Sequence, residues 1–291
     1  MFQEGFVKFT NAYRCLAVLL GLGCLAVNST SHAALLASDS FIVGDGQYAT
    51  GNVGGQAPTV LGFSGAWSTV FGTTDITETG LSRAGATVSG TTQGGALTKT
   101  DGGGRAFRDF TTTTSDSFVG TRYLSFLVQF TGMTTNYRAI ELYNGGTDDG
   151  SNRKLQVGFS ESDTGSSTNF GVRVNNAVSQ GSNVAFNQDV NLFVVKFELS
   201  ATNNGDTISL FINQADESGP ANAVVSGVNF GGFDRFAFGK FTGGGTDNGL
   251  AADEIRLGDT FADVATVPEP TSLALVGLTG LGLMGRRRRS M

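Results

Sequence analysis

Apolar residues in this chain alternate with polar ones in short runs, and clusters of Gly, Asn, Asp and Ser separate the runs. Residues 123–130, 139–143, 155–159 and 170–174 carry the period-two pattern of a half-buried strand. Residues 192–199, 207–212, 233–239 and 254–257 carry it too. Asn203-Asn204-Gly205-Asp206 falls between two of these runs and predicts a hairpin, since Asn and Gly accept the positive φ of tight turns. The pattern predicts an all-β antiparallel sandwich. Residues 65–115 are Thr/Gly-rich and less regular, which predicts edge strands and long loops. Between residues 34 and 266 no stretch shows a helical period with caps, and neither a repeat nor a linker divides the segment.

Both ends break this pattern. Lys8 and Arg14 precede the 13 apolar residues 15–27, and Asn28-Ser29-Thr30 and Ser31-His32-Ala33 follow. This is the layout of a secretory signal helix with a small-x-small cleavage site after Ala33. An uncleaved anchor would need a span of roughly 20 residues. The lipoprotein alternative at Gly21-Leu22-Gly23-Cys24 puts its Cys inside the apolar run instead of after it.

At the other end, residues 271–285 are 15 residues without charge, followed at once by Arg286, Arg287, Arg288 and Arg289. As a short transmembrane helix they would rise about 22 Å, against a hydrocarbon core of about 30 Å. Snorkelling arginines and local thinning can close that gap. The four arginines stop transfer with the tail in the cytoplasm, and Lys8 and Arg14 hold the N-terminus there, so the segment between them lies outside. Just before the apolar run stands Val267-Pro268-Glu269-Pro270. Its two prolines forbid helix and hold the chain extended, as a protease would take it.

The motif, apolar helix and arginine cluster at residues 267–291 together resemble the PEP-CTERM sorting signal of Gram-negative bacteria. The resemblance implies recognition by exosortase, a membrane transpeptidase-like protease. It also implies export across the inner membrane, transient anchoring, and release to the cell surface or beyond. Family members occur in bacteria that make extracellular polysaccharide. The alternative, a C-terminal helix with a nucleic-acid-binding basic tail, lacks a polar helix face.

Composition narrows the chemistry of the segment between the ends. Cys15, Cys24 and His32 are the chain's cysteines and histidine, and all lie in the predicted signal peptide, 1–33. The exported body, 34–266, therefore has no thiol nucleophile, disulfide, Cys/His zinc site or histidine triad. Its 13 basic residues face 23 acidic ones, which disfavours nucleic acid as a partner. Gly 43 and Phe 23 against Pro 4 fit a β domain rich in turns.

Residues 192–213, 233–238 and 252–264 resemble the late strands of concanavalin A-like, laminin-G-like jelly rolls. Asp39-Ser40-Phe41 resembles the first strand of such domains, which pairs near the last. The resemblance implies a two-sheet jelly-roll sandwich and, by analogy, binding of carbohydrate or protein. Jelly-roll glucanases set their carboxylates along one strand as Glu-x-Asp-x-x-Glu, and no such run occurs here. Glu141 stands alone in its strand. Asp253 and Glu254 are adjacent, so a regular strand would turn them to opposite faces, Glu254 to solvent and Asp253 to a turn. Calcium is the one cofactor the residues suggest: Asp148 and Asp149, with Gly150-Ser151-Asn152, offer clustered oxygens. Asp206 and Asp247-Asn248 are lesser candidates, and all are also ordinary turn residues. Trp67, Tyr48 and Tyr143 are candidates either to stack on sugar rings or to pack in the core.

The expectation is an exported, sorted, non-enzymatic surface or matrix protein that binds polysaccharide or other envelope components. Two alternatives stand beside it. One is a secreted carbohydrate-active enzyme, a glycoside hydrolase or lyase of jelly-roll fold. The other is a purely structural surface module.

Overall fold

The computed structural model describes residues 35–44, 47–83, 95–99, 103–114, 118–132, 137–146, 152–160, 166–240 and 249–265. The predicted signal peptide with Ala33, the motif Val267–Pro270, the apolar tail with Arg286–Arg289, and Asp148, Asp149, Asp247 and Asn248 lie outside them. Among the described residues, no helix is long and apolar enough to cross a membrane.

Each of the eight runs read as strands is a strand. They are β7 (Gly120–Thr131), β8 (Arg138–Tyr143), β9 (Arg153–Ser160), β10 (Ser166–Val174), β12 (Val190–Leu199), β13 (Asp206–Ile212), β15 (Phe233–Lys240) and β16 (Gly249–Gly258). Eight more complete the set among the described residues: β1 (Leu35–Asp39), β2 (Gly51–Asn52), β3 (Phe63–Phe71), β4 (Asp75–Thr77), β5 (Ala96–Lys99), β6 (Gly104–Thr114), β11 (Val178–Ala185) and β14 (Ala223–Val228). A single helical turn, α1 (Phe261–Ala265), follows.

The strands form two antiparallel sheets. The nine-stranded sheet runs β14-β13-β12-β7-β16-β5-β4-β2, with β1 also on β16; the seven-stranded sheet runs β11-β10-β9-β8-β15-β6-β3. β15 inserts between β8 and β6, and β16 inserts between β7 and β5. Late strands threaded between early ones in both sheets make a jelly-roll sandwich. The first strand does pair with the last: Leu35 stands opposite Gly258 and Asp39 opposite Ile255.

Phenylalanine fills the space between the sheets. Phe126, Phe130, Phe170, Phe193, Phe197, Phe233, Phe236 and Phe238 are all fully buried there. Phe170 meets Phe193 edge-on, with ring centroids 5.1 Å apart. The continuous apolar run of β12 has a direct cause. Phe193, Val195 and Phe197 face this core, while Leu192 and Val194 join a second apolar cluster on the other side of the sheet.

Three expectations change. Residues 65–115 are not only edges and loops, because β6 lies between β15 and β3 and β5 between β16 and β4. The β6 pattern is hidden since Arg108 points into an ion pair inside the sandwich and Phe107 packs on the outside with Tyr143 and Ala237. The segment does end in a helix: Thr260 and Asp263 cap α1, with Asp263 Oδ2 accepting from Thr260 N at 2.9 Å and Thr260 Oγ1 accepting from Asp263 N at 3.2 Å. Asp253 and Glu254 are both buried. Glu254 has φ 51° and is the extra residue of a β-bulge, since β16 advances from Asp253 to Arg256 while β7 advances only from Leu127 to Ser125.

Candidate functional site

Among the described residues, four polar constellations and two cavities stand out as places where chemistry could occur. The largest constellation covers the outer face of the seven-stranded sheet. In β8, Ile140 and Leu142 face the core, so Glu141 faces outward. Its Oε2 lies 3.0 Å from Arg105 Nε and its Oε1 3.0 Å from Arg153 Nη1. Tyr137 Oη donates to Oε1, and Tyr143 Oη donates to Oε2 at 3.2 Å. Gln156 Nε2 in turn donates to Tyr137 Oη at 2.9 Å. Room for the carboxylate comes from Gly239 on β15, where a Cβ would stand 2.7 Å from Oε2. Burial and the adjacent carboxylate push the Tyr137 hydroxyl well above its usual range. Glu141 is thus the hub of a network tying β6, β8 and β9, with no exposed surface.

The second constellation lies inside the sandwich at the end of β1. Asp39 Oδ2 accepts from Tyr48 Oη at 2.5 Å and from Arg108 Nη1 at 3.1 Å, and Oδ1 accepts from Phe41 N at 3.1 Å. Arg108 also donates to Pro58 O at 2.5 Å, and Trp67 Nε1 donates to Tyr48 Oη at 2.8 Å. Burial pushes the Asp39 carboxyl up to about 6, against the pull of Tyr48, Phe41 and Arg108. Trp67, Tyr48 and Tyr143, the candidate stacking aromatics, are all buried and belong to packing and these networks.

The third surrounds the bulge. Asp253 Oδ2 accepts from Leu81 N at 2.9 Å and Oδ1 from Glu254 N at 2.7 Å, while Glu254 Oε2 accepts from Arg256 Nη2 at 2.9 Å. Burial, then Glu254, push Asp253 well above the usual carboxylate range. Leu81 belongs to the apolar cluster outside the nine-stranded sheet, whereas Tyr48 and Trp67 belong to the core inside it. Asp39 and Asp253 therefore face opposite sides of that sheet, and one glycosidic bond could not lie between them.

Asp206 makes the fourth. It caps the base of the β12–β13 hairpin, where Asn204 has φ 57°. Its Oδ1 accepts from Ser200 N at 2.8 Å and its Oδ2 from Phe230 N at 2.7 Å. The carboxylate suggested as a lesser calcium ligand is engaged with backbone amides. Among the described residues, no group of three His, Cys, Asp or Glu side chains is arranged to hold a metal ion.

Asp206 also fixes two walls of a surface cavity of about 400 Å³, lined by Phe118, Val119, Ser200, Ala201, Thr202, Asn203 and Asn229. Ser200 comes from the hairpin and Asn229 from the residue before Phe230, so both walls hang on the one carboxylate. The Arg122 guanidinium stacks on the Phe118 ring, 4.0 Å from its centroid. Among the described residues, hydroxyls, amides and an apolar patch line this cavity, with no charged side chain. The sequence reading missed it because its residues come from three separate loops. A smaller cavity of about 170 Å³ lies over Asp39 and is lined by Ser38, Gln47, Thr59 and Leu61 among others.

Comparison with known proteins adds a motif and a set of fold likenesses. Residues 266–289 match the PEP-CTERM protein-sorting motif. That motif implies an exported protein, held at a membrane and then processed, and recognition by exosortase. No curated protein sequence matches the chain. Among solved structures, the chain is similar to the globular domain of T. cruzi calreticulin, at 15% identity and TM-score 0.42, covering 76% of this chain and 94% of that one. The metal-free exoplasmic/lumenal domain of VIP36 is similar at 12% identity and TM-score 0.40, covering 65% and 92%. Lectin UEA-II, solved in complex with galactose, is similar at 13% identity and TM-score 0.38, covering 57% and 88%.

Proposed function

We propose that the exported body, residues 34–266, is a non-enzymatic module that binds neutral polysaccharide at the cell surface or in the extracellular matrix. The observation that carries this reading is the cavity at Phe118 and Asn229. Its lining suits a neutral, polyhydroxylated ligand: Ser200, Thr202, Asn203 and Asn229 present donors and acceptors, and Phe118 and Val119 present apolar surface to a sugar face. The uncharged lining among the described residues is the reason for proposing a neutral rather than an acidic polysaccharide. The buried carboxylates support binding over hydrolysis, since Glu141 and Asp39 are engaged by arginine and tyrosine donors without exposed surface.

Calcium enters this reading through Asp148 and Asp149, with Asp247-Asn248 as lesser candidates. A titration in calcium and again in EDTA separates a metal-dependent site from the cavity. The test is binding of the purified protein to a panel of envelope polysaccharides, with Asn203→Ala/Asn229→Ala as the control. The proposal expects saturable binding that falls at least about tenfold in the double variant, the loss of about 1.4 kcal/mol. No binding to any envelope glycan, or binding unchanged in the double variant, contradicts it.

A further inference from the structure

The sorting motif has almost no spacer. Ala265, the last residue of α1, is fully buried, and the matched motif starts at residue 266. Extended chain from Ala265 to Pro268 spans roughly 10–11 Å at about 3.3–3.6 Å per residue. A peptidase that takes Val267–Pro270 as a strand must close on main chain to both sides of the bond it cuts. On the N-terminal side that main chain is committed elsewhere. Phe261 packs against Tyr123 and Phe211, with centroids 6.0 and 5.5 Å away. Ser125 Oγ donates to Val264 O at 2.7 Å, and Arg122 pairs with Asp259. The tail thus leaves from the outer face of the nine-stranded sheet. Pressing this acidic body, with 13 basic and 23 acidic residues, against an anionic membrane surface is electrostatically unfavourable.

We infer that α1 is a release clip for tail processing, an inference that rests on the tail being a processed sorting motif. The enzyme engages Val267–Pro270 when residues 259–265 leave the sheet, so the docking free energy of α1 sets the fraction of chains ready to be cut. Release lengthens the extended reach by about 23–25 Å. The strip it uncovers, including Tyr123, Leu127 and Phe211, is apolar. Opening is therefore brief, and α1 docks again once the tail is gone.

The test is a pulse–chase of the full chain in its native export system, following loss of the tail. An insert of about ten Gly and Ser residues between Ala265 and Thr266 supplies reach without undocking α1. It should be processed about tenfold faster than the parent. Phe261→Ala should also accelerate processing, about tenfold for each 1.4 kcal/mol of docking lost. Combined, the two changes should be no faster than the insert alone. Parental or slower processing of the insert variant overturns the clip, and that variant decides the matter even where Phe261→Ala fails to fold, because its body is unchanged. Pro268→Ala/Pro270→Ala separates the two readings. Continued processing there refutes the motif itself, whereas a block there with no effect of the insert refutes only the clip.

Discussion

On the outer face of the nine-stranded sheet, Leu127, Leu192, Val194 and Phe211 lie under one turn of helix whose Phe261, Val264 and Ala265 are buried against them. On the outer face of the seven-stranded sheet, Glu141 is shielded by Arg105, Arg153, Tyr137 and Gln156, each hydrogen-bonded to the carboxylate or to a partner of it. The first cover is mainly apolar and continuous in sequence, so it can lift as a unit, and the Arg122–Asp259 ion pair it breaks is part-exposed, within reach of water. The second is polar and drawn from β6, β9 and the residue before β8, so removing one member leaves buried polar groups short of a hydrogen bond or an ion pair. A chain end that must be handed to an enzyme is suited to the first arrangement. A face that must never open is suited to the second.

Breaking the polar cover should have the largest effect. Glu141→Ala removes the carboxylate shared by Arg105 and Arg153 and should destabilise the protein by about 3–5 kcal/mol, read from the urea midpoint. Glu141→Gln keeps the shape and should cost less. A loss below about 1 kcal/mol in the alanine variant would mean that the arginines find water instead, and the contrast between the faces would fail.

Asp39 tests whether burial or pairing governs a buried carboxylate in this fold. Its carboxyl is raised from the ordinary 3.8 to about 6 in the folded protein. The folded state then holds the proton more tightly than the unfolded chain, and stability from this group is full below about pH 4. It is lost as pH rises through about 6, by about 3 kcal/mol at most. Asp39→Asn should flatten that part of the stability–pH curve, with Asp253 supplying a remaining slope of the same sign. A curve that instead rises between pH 4 and 6 in the parent and flattens in the variant would show that Arg108 outweighs burial.

The smallest expected effect is at the clip's cap. Thr260→Ala removes the hydroxyl that accepts from Asp263 N and should cost about 1 kcal/mol. It should change hydrogen exchange in 259–265 and leave β8 and β15 untouched. Equal changes in both regions would mean that α1 does not open separately from the sandwich.

Strands such as β7, β8 and β13 are legible in the sequence because apolar side chains recur at every second position on the side facing the core, although their other faces are largely buried too. β6 was not, since an ion pair inside and a phenylalanine outside reverse its pattern at Arg108 and Phe107. β11 and β14 were missed because they are edge strands with mostly polar or exposed positions. The bulge at Glu254 leaves no local trace, and without it Asp253 and Glu254 cannot be placed. α1 is too short to show a period, although Thr260-x-x-Asp263 is a readable cap. The constellations around Glu141 and Asp39 and the cavity at Asn229 unite residues far apart in the chain, which one-dimensional spacing does not reveal. The sorting tail is the opposite case: motif, apolar run and arginines are contiguous, so the whole signal is readable as written.

The most direct measurement is the intact mass of the protein recovered from outside cells with a native export system. The account predicts a chain that starts near Ser31–Leu35 and ends near Val267–Pro270, lacking Arg286–Arg289. Recovery of the full 291-residue mass, or of a chain that retains the arginines, would contradict it.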